Sequence, residues 1–180
     1  MHKQKQTGFT IVELLIVIVV IGILAAITIV AFNGIQARAN KTAVQSDLAN
    51  LAKQIQVHAA THGSLPQFGS QPGSDGSPAP GTTTFPSITA KISSGSYSTS
   101  GYNLYACRSS DLSSNEFGLF AKTKNDEIVA YSTSKGIHAG STTWTSSASI
   151  CPGLGFPGTP GYYYSYGATN GAWNTAWVQP

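Results

Sequence analysis

Charge is scarce in this chain. Only 9% of its 180 residues are Asp, Glu, Lys or Arg, against about a quarter in an ordinary globular domain. The shortage is sharpest at two places. Leu14 to Phe32 carries no charge, and beyond Glu127 there is no acid and beyond Lys135 no Lys or Arg. The seven acids are scattered, and neither a Ser-His-Asp spacing nor a phosphate-binding glycine loop occurs. An enzyme reading therefore has no residues to stand on, and no catalytic site or cofactor is expected. The formal charge of +3 is too small to imply a nucleic-acid partner. Proline is missing before Pro66, so the first third of the chain is free to be helical. Cysteine occurs twice, at Cys107 and Cys151, without the paired spacing of a zinc or redox motif. His58 and His62 stand at i,i+4, but Ala-Ala-Thr separates them where a zinc protease needs a glutamate. They are expected to be solvated histidines near a helix C-terminus, with no metal.

What the chain does have is one long apolar run with a carboxylate at its mouth. The nineteen residues Leu14 to Phe32 are diluted only by Gly22 and Thr28. As a helix they span roughly 28 Å, close to the ~30 Å core of a bilayer. A charge inside such a helix costs about 2.5–3.5 kcal/mol on insertion scales, so Glu13 needs a partner or a job. Three readings compete. A secretory signal peptide would use His2, Lys3 and Lys5 as its basic start and Leu24-Ala25-Ala26 as its cleavage site, but the apolar run continues past Ala26. A plain single-pass anchor explains the length and leaves Glu13 unexplained. In the third reading the acid has a function.

Gly8-Phe9-Thr10-Ile11-Val12-Glu13-Leu14-Leu15 and the apolar residues that follow resemble the N-terminus of a type IV prepilin. The resemblance covers about the first third of the chain. It implies a leader, residues 1–8, that a membrane peptidase removes between Gly8 and Phe9. It further implies N-methylation of Phe9 by the same processing enzyme and a role in filament assembly for Glu13. One departure is visible: many relatives carry a proline eight positions after the glycine matched by Gly22, and here that position is Val30. The melted helical segment of related filaments is not assumed. Loss of the leader removes Lys3 and Lys5 and lowers the net charge by two, from +3 to about +1. The basic leader stays cytoplasmic, Arg38 and Lys41 weaken that orientation slightly, and the resemblance places the globular part outside.

Beyond Phe32 the apolar period changes instead of stopping. Val44, Leu48, Leu51 and Ile55 form one stripe at helical spacing, with Ala39, Ala43, Ala52 and Ala59 keeping the helix slim. Gly63 and Pro66 supply a stop. The expected organisation is a membrane or filament-core helix over 9–32, an amphipathic continuation over 33–62, and an outward β domain over 63–180. Residues 66–87, rich in Pro, Gly, Ser and Thr, make a loop between helix and sheet that either lines subunit contacts or is a plain linker. Tyr102–Cys107, Glu116–Lys122 and Glu127–Tyr131 alternate like strands, with turns at 111–115 and 125–126. Short connections require antiparallel pairing, giving a meander of three or four strands. One face should cover the helix and bury Leu104, Phe117, Leu119 and Ile128 or their alternating neighbours. The class is α+β, and the resemblance implies the type IV pilin fold, a long N-terminal helix on a small antiparallel sheet.

Two cysteines in an exported segment favour a disulfide over two buried thiols, and the resemblance implies a bridge that pins the C-terminal region. Tyr162, Tyr163, Tyr164, Tyr166, Trp173 and Trp177 crowd the end of the chain. They either form a sugar- or surface-binding patch or pack a terminal hairpin onto the sheet, the second being favoured. The resulting expectation is a structural pilus subunit, stored in membrane lipid and then extruded to the cell surface. Its partners are copies of itself, a prepilin peptidase and methyltransferase, an assembly platform and minor pilins. Adhesion, twitching motility and DNA uptake are not distinguished. A pseudopilin of a type II secretion system, which builds a short piston, is the first alternative, although major pseudopilins commonly carry acidic calcium ligands in a C-terminal loop that has no acids here. An exported adhesin or sugar-binding module is the second.

Overall fold

The computed structural model describes residues 8–66, 88, 90–109, 113–156, 162–173 and 178–179. One long helix, α1, runs from Ile11 to His62. It contributes to two compact units, residues 1–38 and 39–180. In the first unit the helix buries none of its apolar side chains. At the other end Gly63 takes a φ of +73°, the left-handed conformation that closes a helix and that a side chain would strain.

In the second unit the stripe Val44, Leu48, Leu51 and Ile55 is fully buried, as its spacing requires. It packs on a six-stranded antiparallel sheet in the order β5-β4-β3-β2-β6-β7. The strands are β2 (Tyr102–Ser109), β3 (Phe117–Lys122), β4 (Ile128–Ser132), β5 (Gly136–Ala139), β6 (Tyr162–Thr169) and β7 (Ala172–Trp173). A separate parallel pair joins β1 (Ala90–Lys91) to β8 (Val178–Gln179). The loop at 67–87 lies outside the described residues.

The sheet is larger than the expected meander. The extra strand next to β2 is β6, and it turns into β7 at Asn170-Gly171. Both turn residues have positive φ, 50° and 75°, the backbone of a two-residue hairpin for which Asn-Gly is the strongest sequence signal. The C-terminal hairpin thus extends the sheet by hydrogen bonding and does not lie on top of it.

Side chains alternate between two cores, since successive strand residues point to opposite faces. Leu104, Ala106, Phe117, Leu119, Ala121 and Val129 pack with the α1 stripe. Tyr105, Cys107, Phe120 and Ala130 pack on the other face under a short helix α2 (Ser147–Gly153) and the residues after it, Leu154 and Phe156. Ile128 is a correction. The β3–β4 register sets Val129 opposite Ala121 and Ile128 opposite Lys122, so Val129 takes the helix side and Ile128 joins the second core. That second layer and α2 were not expected. At Gly118 a Cβ would come within 3.0–3.1 Å of Phe156 and Leu154, so glycine lets this layer approach the strand closely.

The disulfide joins Cys107 on β2 to Cys151 in α2, 44 residues apart, and both residues are fully buried. It fastens the second layer to the centre of the sheet. Polar contacts hold α1 to the domain edge: Lys41 pairs with Glu127 at 2.9 Å, Asn40 donates to Asn125 at 2.9 Å, and Gln56 donates to the Tyr131 hydroxyl at 3.0 Å. Exposed pairs of this kind contribute about 0–1 kcal/mol each, so apolar burial dominates the packing.

Candidate functional site: the N-terminal segment

Gly8 and Phe9 stand just ahead of α1, and the Phe9 side chain is 93% exposed. Glu13 lies in the first helical turn. Its Oε2 accepts hydrogen bonds from the Thr10 backbone N–H at 2.8 Å and the Thr10 hydroxyl at 2.7 Å. In return the Glu13 N–H donates to the Thr10 hydroxyl oxygen at 3.3 Å. This is a capping box, in which Thr10 and Glu13 satisfy donors that a helix start otherwise leaves open. The negative charge also lies at the positive end of the helix dipole, a favourable place for it.

Thr10 is the residue that sequence reasoning missed. Its signal was present in the spacing Thr10-Ile11-Val12-Glu13, the T-x-x-E pattern that precedes an apolar run. Glu13 therefore has a local partner within its own chain. Behind it the large apolar side chains from Ile11 to Ile35 are all exposed, among them Leu14, Ile18, Ile21, Leu24 and Phe32. The helix is long and apolar enough to cross a membrane. Chemically the segment can anchor in lipid or pack against other apolar helices, and ahead of the helix it sets a small residue, Gly8, next to the accessible aromatic Phe9.

The remaining expected positions fall elsewhere. Cys107 and Cys151 form the disulfide described above. Trp173 is half-buried and meets Tyr97 edge-on, 5.2 Å between ring centres at 85°, so this member of the aromatic group packs on the α1-side core. Tyr162, Tyr163, Tyr164 and Tyr166 are on β6, their side chains lying outside what is described, and Trp177 lies outside the described residues. His58 and His62 stack at 4.2 Å on the helix surface. Partial burial, and then the neighbouring His62, hold His58 below its usual pKa.

Two buried charged residues also escaped sequence reasoning. Asp47 accepts from the Ser93 N–H at 2.8 Å and from the Tyr97 hydroxyl at 3.3 Å. Burial raises its carboxyl above the ordinary value and outweighs those two bonds. Arg108 on β2 donates to the Pro66 carbonyl at 3.2 Å, tying the sheet to the chain just past the helix end. Neither is near the N-terminal segment in sequence, and both serve the domain.

Residues 3–29 match a family model described as the prokaryotic N-terminal methylation motif. Similar curated proteins are the type II secretion system core protein G of Klebsiella michiganensis, Aeromonas hydrophila and Dickeya chrysanthemi. The first is 34% identical over 58 residues, 32% of this chain and 41% of that protein. The second is 33% identical with the same coverage of 32% and 41%. The third is 32% identical over 56 residues, covering 31% and 37%. The chain thus matches about two fifths of the length of these relatives. No solved structure matches it. A methylation motif thus runs into one long apolar helix, with an antiparallel sheet packed on that helix's second half, an architecture consistent with the pilin fold that the N-terminal resemblance implied.

Proposed function

We propose that this chain is a structural filament subunit. It is held in the membrane by α1, cut between Gly8 and Phe9, methylated on the new N-terminus, and polymerised with copies of itself. The observation that carries this reading is the uncovered apolar half of α1, most of which lies within the matched methylation motif. Exposed apolar surface on this scale requires lipid or other apolar helices, and a bundle of identical helices supplies the second. The domain at 63–180 then forms the outer wall. Glu13 carries the assembly role: after cleavage its carboxylate exchanges the Thr10 contact for the amine of a neighbouring subunit. A prepilin peptidase and methyltransferase, an assembly platform and minor pilins are the partners this scheme needs.

The filament is proposed to be a surface pilus. A second reading, a component of a type II secretion system, is favoured by the names of the similar proteins. Electron microscopy of cells with an antibody to residues 90–156 separates the two. Labelled long fibres at native expression support the pilus. Label confined to the envelope, with the protein still required for secretion, supports the second reading. Label in the membrane with no polymer even on overexpression would sink both.

A further inference from the structure

We propose that the cleft between Trp144, Tyr102 and the Lys122–Asp126 pair is a binding site for a neutral saccharide. The cleft lies on the sheet face away from α1 and holds about 420 Å³. That is near the lower end of the ~300–1,000 Å³ typical of small-molecule sites, a fit for a mono- or disaccharide. Its lining combines two aromatic residues with an ion pair and the hydroxyl-bearing Thr142 and Thr145.

The aromatic part is built for presentation. Trp144 is half-buried, tilted against Phe120 at 6.1 Å between ring centres. A Cβ at Gly140 or at Gly153 would overlap its indole, so two glycines make the space that the ring occupies. Tyr102 is fixed edge-on to Tyr105 at 5.0 Å. Both rings are supported by the second core yet remain part of the cleft wall. Flat apolar faces with polar handles suit the C–H face of a pyranose ring.

The polar part fixes the charge of the ligand. Lys122 Nζ meets Asp126 Oδ1 at 2.9 Å, so one cation and one anion offset each other and a charged ligand gains nothing. An ammonium donates and a carboxylate accepts, the complementary pair for neighbouring sugar hydroxyls. The Lys122 contact holds the Asp126 carboxyl below its ordinary pKa and hence ionised. Ser98 also donates to Oδ1, at 3.4 Å, which leaves Oδ2 as an acceptor for a ligand. Asp126 keeps this position at a φ of 60°, which most residues avoid. It also borders an adjoining hollow of about 290 Å³ lined by Ser94, Ser98, Ser100 and Lys124, room for a second sugar unit.

The test uses the full chain in a detergent without a sugar headgroup. Maltose, lactose and N,N′-diacetylchitobiose are titrated by calorimetry and tryptophan fluorescence. Saturable binding of at least one is expected, weakened about tenfold or more, the equivalent of ~1.4 kcal/mol, by Trp144→Ala and by Asp126→Asn. Should Trp144→Ala fail to form the disulfide, Asp126→Asn and Lys122→Gln carry the comparison, since Asp126 is exposed and Lys122 only half-buried. No saturable binding of any of the three sugars, or binding unchanged in the Asp126 and Lys122 variants, overturns the proposal. Trp144 becoming shielded from a soluble quencher only on self-association also overturns it, and assigns the cleft to a contact between copies.

Discussion

Breaking the Cys107–Cys151 bond should cost this domain a large part of its stability. The bond closes a loop of 44 residues, for which the chain-entropy relation gives about 4 kcal/mol at 25 °C. A domain has only ~5–15 kcal/mol in total. The bond is also the covalent tie between β2, at the centre of the sheet, and α2, whose Ile150, with Leu154 just after the helix, covers the second face. Without it the α2 layer is held by its apolar contacts alone, so Trp144 and Phe156 should become exposed before the α1 side opens. The assay is urea unfolding of the full chain in detergent, oxidised against reduced, followed by tryptophan fluorescence. With a slope of ~2 kcal/mol/M the midpoint should fall by about 2 M on reduction. The variant Cys107→Ala/Cys151→Ala should fall further, because both sulfurs are fully buried and alanine leaves a void. Reduction isolates the cross-link from that void. A shift on reduction below about 0.5 M, equivalent to ~1 kcal/mol, would refute the loop-closure argument.

Gly8→Val should leave uncut protein in the membrane; mass spectrometry finding a mature N-terminus at Ile27 would instead support an ordinary signal peptide. Glu13→Ala and Glu13→Gln should both insert normally and both lose surface fibres. Glutamine keeps the capping acceptor and drops the charge, so normal fibres in Glu13→Gln would reduce Glu13 to a helix cap. Losing only the cap should cost the helix start about 0.5–2 kcal/mol, too local to abolish anchoring. Asp47 supplies a pH test. Its folded carboxyl lies above the ordinary value of 3.8, so its contribution to stability is complete below that value and is lost as pH rises through the folded one. Asp47→Asn should therefore gain on the wild type between pH 4 and pH 7 in the same urea assay, and a stability difference, variant minus wild type, that is constant or falls with rising pH would contradict the burial argument.

The helix was legible in the sequence because it depends on local pattern. Nineteen uncharged residues, no proline before Pro66, a stripe at three- and four-residue spacing, and Gly63 as the stop fix α1 to within two residues of its observed ends. The N-terminal motif was legible for a related reason: it is a linear segment whose pattern depends on no distant residue. The capping box was equally local, and Thr10-x-x-Glu13 announced it. The three strands of the meander followed from their alternation.

What the sequence by itself could not decide was register, partner and layer. Alternation says that Ile128 and Val129 face opposite ways, but only the pairing with Ala121 and Lys122 says which one meets the helix. Nothing local told β6 to lie beside β2, some fifty residues away, instead of stacking on the sheet, because strand pairing satisfies backbone groups that are alike in every residue. Asp47 and Arg108 carry no local sign of burial; it is the fold that closes Ser93, Tyr97 and the Pro66 carbonyl around them. The cleft at Trp144 is the fullest case: Gly101, Lys122 and the Thr142–Trp144 turn come from separate parts of the chain, and only the tertiary structure brings them to one wall. Local pattern is set by neighbours within a few residues, whereas which faces become buried is settled by contacts made across the whole domain.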